Sequence, residues 1–275
     1  GQRKSPDLKR SIEVERGDER LLGNMPSGNL KPKIIIVPEA RHLAKAGAAL
    51  FEQTVVDAVQ SRGQAAAALS GGSTPRVMNR LLAAPPYVDR IPWKRIHLFW
   101  VDDRMVAADD PASNFGAARN DFISRIPIPP QQVHPMPVLD PPTAGAEAYS
   151  RELKNYFGSK TPVFDLVFLG IGTDGHTASL FPDQATVHKG PEWVLSAYGG
   201  SPDVYRLTLN YPLLNRARAV AFLVSGQGKA EMVRTLLCED EVRYPPQRIR
   251  PEDGRLIWLL DQPAASLLPR DMHSD

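Results

Sequence analysis

Cysteine is almost missing from this 275-residue chain, and the single Cys238 excludes an intramolecular disulfide and any zinc site built on thiolates. Such usage fits a reducing compartment, so the cytoplasm is the expected location. Metal-ligand spacing is absent as well. His176 and His188 stand isolated, with no second His or Cys within a helical turn, and no metal is expected. No apolar run approaches a membrane span, and no signal-peptide core appears. Charge of one sign is not in excess either. The formal net charge is +2, and residues 1–33 hold eight Lys/Arg against five Asp/Glu, which leaves the body beyond them at −1. Without a basic surplus, neither nucleic acid nor a membrane surface is an expected partner.

What is present is ordinary for a globular protein, at 42% hydrophobic and 23% charged residues. Residues 1–32 are polar, charged and punctuated by Gly and Pro, and read as a mobile N-terminal arm or an appended remnant. Residues 33–275 read as one domain. Lys33 to Val37 is a short buried strand, and Glu39 to Arg62 keeps helical spacing through Leu43, Ala46, Leu50, Val55 and Val59. Further buried strands are expected at Ala65–Leu69, Arg95–Val101, Phe164–Leu169, Ala219–Val224 and Arg255–Leu260, with shorter ones near Val133, Trp193–Ala197 and Tyr205–Leu209. Helices are expected at Pro75–Leu82, from Ser113 or Asn114 to Arg125, at Thr143–Phe157 and from Gly226 to Cys238. Strands alternating with helices imply βαβ units and a parallel sheet.

Chemistry gathers where strands end. Phe164–Leu169 runs into Gly170, Gly172 and Gly175, with Asp174 and His176 in the same turn. Ligands bind at the strand ends of parallel α/β sheets, and histidine is the usual proton carrier near neutral pH, so the turn reads as a general base at the mouth of a crevice. Gly170-x-Gly172-x-x-Gly175 also matches the dinucleotide fingerprint literally, but Pro182 cuts off the long helix that fingerprint requires. Ser70-Gly71-Gly72-Ser73-Thr74-Pro75, between a strand and a helix, reads either as an anion cradle or as a plain turn with a Ser cap. Asp102-Asp103-Arg104 ends another strand. There the arginine offers a fork for phosphate or carboxylate, and the alternative is a solvated charge cluster. Gly226-Gln227-Gly228-Lys229 places a cation at a fourth strand end.

In this order, the Ser70–Pro75 run, Phe99-Trp-Val-Asp-Asp-Arg-Met-Val106, Ser113-Asn-Phe-Gly116, the 164–182 segment and Ser225-Gly-Gln-Gly-Lys-Ala230 resemble 6-phosphogluconolactonase. The similarity covers roughly residues 34–268, and the family's usual Asp-Glu-Arg is Asp102-Asp103-Arg104 here. The resemblance implies a Rossmann-like, mostly parallel sheet with helices on both faces. It implies hydrolysis of 6-phospho-D-glucono-1,5-lactone in the pentose phosphate pathway, without metal or organic cofactor, by a monomer or homodimer. His176 and Asp174 would be catalytic. Gly71, Gly72, Ser73, Thr74, Asp103, Arg104, Gly172, Arg206 and Lys229 would bind substrate, with the Gly71–Thr74 cradle, Arg104 and Lys229 holding the phosphate, and glycine-turn N–H groups would receive the oxyanion. Two rivals share the fold. Glucosamine-6-phosphate deaminase carries a catalytic Glu after its Asp-Gly-His, where Thr177–Pro182 has no carboxylate. Sugar-phosphate sensors carry a helix-turn-helix, for which residues 1–33 are too short and polar.

Overall fold

The computed structural model describes residues 13–16, 32–158, 161–184 and 190–273. Its main sheet contains β1 (Glu13–Arg16), β2 (Lys33–Val37), β3 (Ala65–Leu69), β4 (Ile96–Trp100), β6 (Val133–His134), β7 (Leu166–Leu169), β10 (Ala219–Val224) and β11 (Arg255–Asp261). They lie in the order β1-β2-β11-β10-β7-β3-β4-β6, and every neighbouring pair is parallel. Helices α1 (Ala40–Arg62), α2 (Ser73–Leu82), α3 (Tyr87–Arg90), α4 (Asn114–Asp121), α5 (Pro142–Phe157), α6 (Tyr211–Leu214), α7 (Ala230–Cys238) and α8 (Gln262–Ala265) complete the expected α/β architecture. The central strands are buried along their whole length, as a sheet covered on both faces requires. Within the segment expected to be a mobile arm, Glu13–Arg16 forms the outermost strand, and the rest of residues 1–31 lies outside the described residues.

Two features differ from a simple alternating reading. Asp102–Arg104 is a strand of its own, β5, and it joins β9 (Val204–Leu209) and β8 (Val194–Gly199) in a separate antiparallel sheet. Val101 is the junction. Its N–H donates to the Leu69 carbonyl of the parallel sheet, and its own carbonyl accepts from Leu209 in the antiparallel one. The small sheet thus starts at the C-terminal edge of the large one. Additionally, the helix expected from residue 113 to Arg125 stops at Asp121 and continues as a single 3₁₀ turn, Ile123–Arg125.

An ion-pair knot holds α2 against α4. Arg76 Nε donates to Asp121 Oδ2 at 2.7 Å, and Arg80 Nε donates to Oδ1 at 3.0 Å. Burial alone would raise the Asp121 carboxyl, but hydrogen bonds and charge from the two arginines outweigh it and hold it below the usual carboxylate range. A depressed folded-state pKa gives stabilisation that is complete above the unfolded carboxylate range and is lost as pH falls through the lowered value. Because both arginines are half-exposed, Asp121→Ala is expected to cost only about 1 kcal/mol at neutral pH. It should also flatten the acid limb of the stability curve. Thermal unfolding followed from neutral to acidic pH measures both effects.

Candidate active site

The chain leaves β2, crosses to β3, and moves outward through β4 to β6 before returning to β7 and moving the other way through β10 to β11. Connections after β3 and β7 therefore diverge, and a crevice opens between two adjacent strand ends. Ser70–Ser73 follows β3, and Gly170–His176 follows β7. The loop after β10, which bears Lys229, flanks one side, while β5 flanks the other.

The β7 turn folds on itself through its own backbone. Gly172 N–H donates to the His176 carbonyl at 2.8 Å, and Gly175 N–H donates to the Gly172 carbonyl at 3.1 Å. This brings Asp174 Oδ1 to 2.6 Å from His176 Nδ1. A Cβ on residue 172 would collide with both of those side-chain atoms, so the pair closes only over a glycine. Burial raises the Asp174 carboxyl, but the facing imidazole and its hydrogen bonds prevail and hold it low. An ionised Asp174 accepts the Nδ1 proton, and this leaves the Nε2 lone pair of His176 free. The imidazole is part-exposed at 30% and lies 5.1 Å from the Phe181 ring.

Opposite this pair, cationic groups and uncapped N–H groups converge. No side chain caps the N-terminus of α2, so the first-turn N–H groups of Ser73 and Thr74 remain open to a ligand. Gly71 packs against the Asn114 amide so closely that any Cβ would overlap it. Asn114 Oδ1 accepts from Arg104 Nη1 at 3.0 Å, which fixes the guanidinium beside the cradle. Arg104 Nε is buried without a hydrogen-bond partner. Antiparallel register sets Arg206 directly opposite Arg104. Burial and then repulsion from Arg104 lower the Arg206 pKa, although Asp102, Asp103 and Asp203 oppose the change. Two facing guanidiniums, one with an unused buried donor, suit a multiply charged anion.

The family model for glucosamine-6-phosphate isomerases and 6-phosphogluconolactonases matches residues 38–258. The 6-phosphogluconolactonase of Synechocystis sp. is 37% identical over 87% of this chain and 99% of its own. That of Streptomyces coelicolor is 34% identical over 88% and 97%. Among solved structures, the 6-phosphogluconolactonase of Trypanosoma brucei superposes with a TM-score of 0.77 at 29% identity, covering 87% of this chain and 99% of that one. This chain belongs to the glucosamine-6-phosphate isomerase/6-phosphogluconolactonase family.

Within this family member, the structure brings His176, Asp174, Gly172, Gly71–Thr74, Arg104, Arg206 and Lys229 to one edge, but not all in the expected posture. The Asp103 carboxylate is turned inward and accepts from the backbone N–H groups of Arg104, Asn114 and Phe115 at 2.7–2.9 Å. Burial pushes it up to about 6 against the pull of those bonds. Asp103 therefore fixes the start of α4 through its carboxylate. Arg206 donates to the Gly199 and Pro202 carbonyls of its own hairpin, so part of its guanidinium is engaged. Lys229 Nζ donates to the Ile171 carbonyl at 2.8 Å; burial lowers its pKa and Asp174 opposes the change. Lys229 thus lies on the histidine side of the crevice. Of the glycine-turn N–H groups expected to receive an oxyanion, those of Gly172 and Gly175 already bond within the turn. Asn114 was visible in the sequence as a helix-start candidate and as part of the Ser113–Gly116 run, with no role assigned to its side chain. Ser113 is the actual cap, accepting from Gly116 N–H at 2.9 Å, and Asn114 links the cradle to Arg104.

Gly172→Ala should disable the Asp174–His176 pair with little effect on folding, because the atoms nearest the new methyl are the ends of those two side chains and the backbone there is not left-handed. A fall in kcat of about 100-fold or more is expected. Steady-state kinetics beside a thermal melt checks this.

Proposed function

We propose that the protein hydrolyses the ring ester of 6-phospho-D-glucono-1,5-lactone to 6-phosphogluconate, with His176 activating the attacking water. One observation carries the mechanism: the paired Asp174 and His176 follow β7, and the uncapped N-terminus of α2 follows β3, so the two open from adjacent parallel strand ends with Arg104 at the edge of the same crevice. His176 Nε2 takes a proton as the water oxygen bonds to the lactone carbonyl carbon. Asp174 stabilises the resulting imidazolium through Nδ1. As the tetrahedral intermediate collapses, the bond from carbonyl carbon to ring oxygen breaks, and the imidazolium returns its proton to that oxygen. The phosphate end lies on the Gly71–Thr74 cradle and Arg104, with Arg206 behind it. Lys229, beside Asp174, supplies positive charge at the lactone end, where the oxyanion develops. This departs from the expectation that Lys229 shares the phosphate with Arg104. The two residues follow β10 and β4, three strand positions apart, or about 14 Å at the usual strand spacing.

The lactone hydrolyses unaided, so every test carries a spontaneous-hydrolysis blank: the phosphorylated lactone is assayed by coupling to 6-phosphogluconate dehydrogenase, and unphosphorylated gluconolactone by titrating the acid released. His176→Ala should lower kcat by about two to four orders of magnitude with KM little changed; near wild-type turnover would place the base elsewhere. Arg104→Ala should damage kcat/KM for the phosphorylated lactone far more than for unphosphorylated gluconolactone, whereas Lys229→Ala should damage both alike. The reverse pattern would exchange their roles. Asp174, held below the carboxylate range, stays ionised opposite His176 Nδ1 until the pH falls through that lowered value. Asp174→Asn, which keeps the shape and removes the charge, should lower kcat by about tenfold or more with KM little changed. Unchanged turnover would remove Asp174 from the mechanism.

A further inference from the structure

A buried chain of hydrogen bonds joins the turn that carries His176 to the guanidinium of Arg104. Ser179 lies three residues beyond His176, inside a tight turn closed between Thr177 and Leu180. Ala178 in that turn takes a left-handed φ of 48°, a conformation that residues with a side chain rarely hold. Ser179 Oγ donates to Asp102 Oδ2 at 2.7 Å, and its N–H donates to Thr208 Oγ1 at 3.2 Å. Asn114 Nδ2 donates to the Asp102 backbone carbonyl at 3.0 Å and reaches its carboxylate Oδ1 at 3.4 Å, and Asn114 Oδ1 accepts from Arg104 Nη1 at 3.0 Å. Ser179 and Thr208 are fully buried, and Asp102 and Asn114 are nearly so.

Anchoring a turn does not require a buried carboxylate, which is expensive to desolvate. What this carboxylate adds is an electrostatic link. It holds Ser179 on one side and, through Asn114, feels the guanidinium on the other. Arg104 Nε is buried and has no hydrogen-bond partner, so the guanidinium at the far end of the chain is not fully tied down.

We infer that Asp102 and Ser179 are positioning residues that let an anion seated on Arg104 set the turn bearing His176. An anion that draws the guanidinium toward itself shifts Asn114, then Asp102, then the Ser179 hydroxyl, and so favours one placement of the strained turn. Phosphate binding energy would then appear in turnover as well as in affinity. This inference rests on the lactonase reading above. It adds that the phosphate is discriminated through kcat.

The test compares wild type, Ser179→Ala and Asp102→Asn on phosphorylated and unphosphorylated lactone, the latter with and without phosphite dianion. Melting temperatures are recorded in parallel. In wild type, kcat for the unphosphorylated lactone should be lower by about tenfold or more, and phosphite should raise it. Equal kcat for the two lactones overturns the inference whatever the variants do. In Ser179→Ala, kcat on the phosphorylated lactone should fall by about 10- to 100-fold with KM changed little, and phosphite activation should vanish. Asp102→Asn keeps an oxygen for the Ser179 hydroxyl and should retain part of the activation, and it replaces Ser179→Ala if that variant fails to fold. Equal losses on both lactones with phosphite activation intact would leave the chain a purely structural tie. A wild type that does not hydrolyse the phosphorylated lactone above the blank refutes the lactonase reading itself, before any phosphite is added.

Discussion

Side-by-side hydrogen bonding of β3 and β7 is the constraint on which the rest depends. A parallel sheet buried on both faces must send each connection over one face or the other, and a crevice forms only where successive connections diverge. Here that point lies between Leu69 and Leu169. Each strand end delivers one half of the chemistry, an uncapped helix N-terminus from β3 and an aspartate–histidine turn from β7. Their juxtaposition follows from backbone pairing and needs no side-chain adjustment. Val101 extends the same logic, since one residue bonded to both sheets carries Arg104 up beside the crevice.

Electrostatically the crevice has two ends. Arg104 and Arg206 face each other across β5 and β9 with few carboxylates free to neutralise them, because Asp102 and Asp103 are turned inward to hydroxyl, amide and backbone donors. At the other end, Lys229 leans on the Ile171 carbonyl beside Asp174 and His176. An elongated substrate with a dianion at one end and an ester at the other matches this polarity. Neither end demands a metal ion for the proposed step, since the imidazole supplies the base and the lysine the positive charge.

Much of the fold was legible because buried parallel strands write themselves as short apolar runs. Ala65–Leu69, Leu166–Leu169 and Ala219–Val224 fall inside the expected segments. The antiparallel sheet was harder to read. Asp102–Arg104 is three charged residues long, and its strand character comes from pairing with Thr208–Arg206, which no local pattern encodes. The histidine turn stood out because Gly172 must make room for the ring, and that need is printed in the sequence. The roles of Asp103, Asn114 and Ser179 did not stand out, since they depend on which way a side chain faces after distant strands have paired. A charge at a strand end looks the same in sequence whether it meets substrate or caps a helix.

The central claim is that His176 is the base that activates water at the lactone carbonyl, and chemical rescue tests it most directly. With the side chain removed in His176→Gly, a part-exposed cavity is left at the mouth of the crevice. Added imidazole and a series of substituted imidazoles should restore lactone hydrolysis above the spontaneous rate, with the restored rate rising with the basicity of the added base. Absence of rescue, or a rescued rate that does not depend on base strength, would contradict the account.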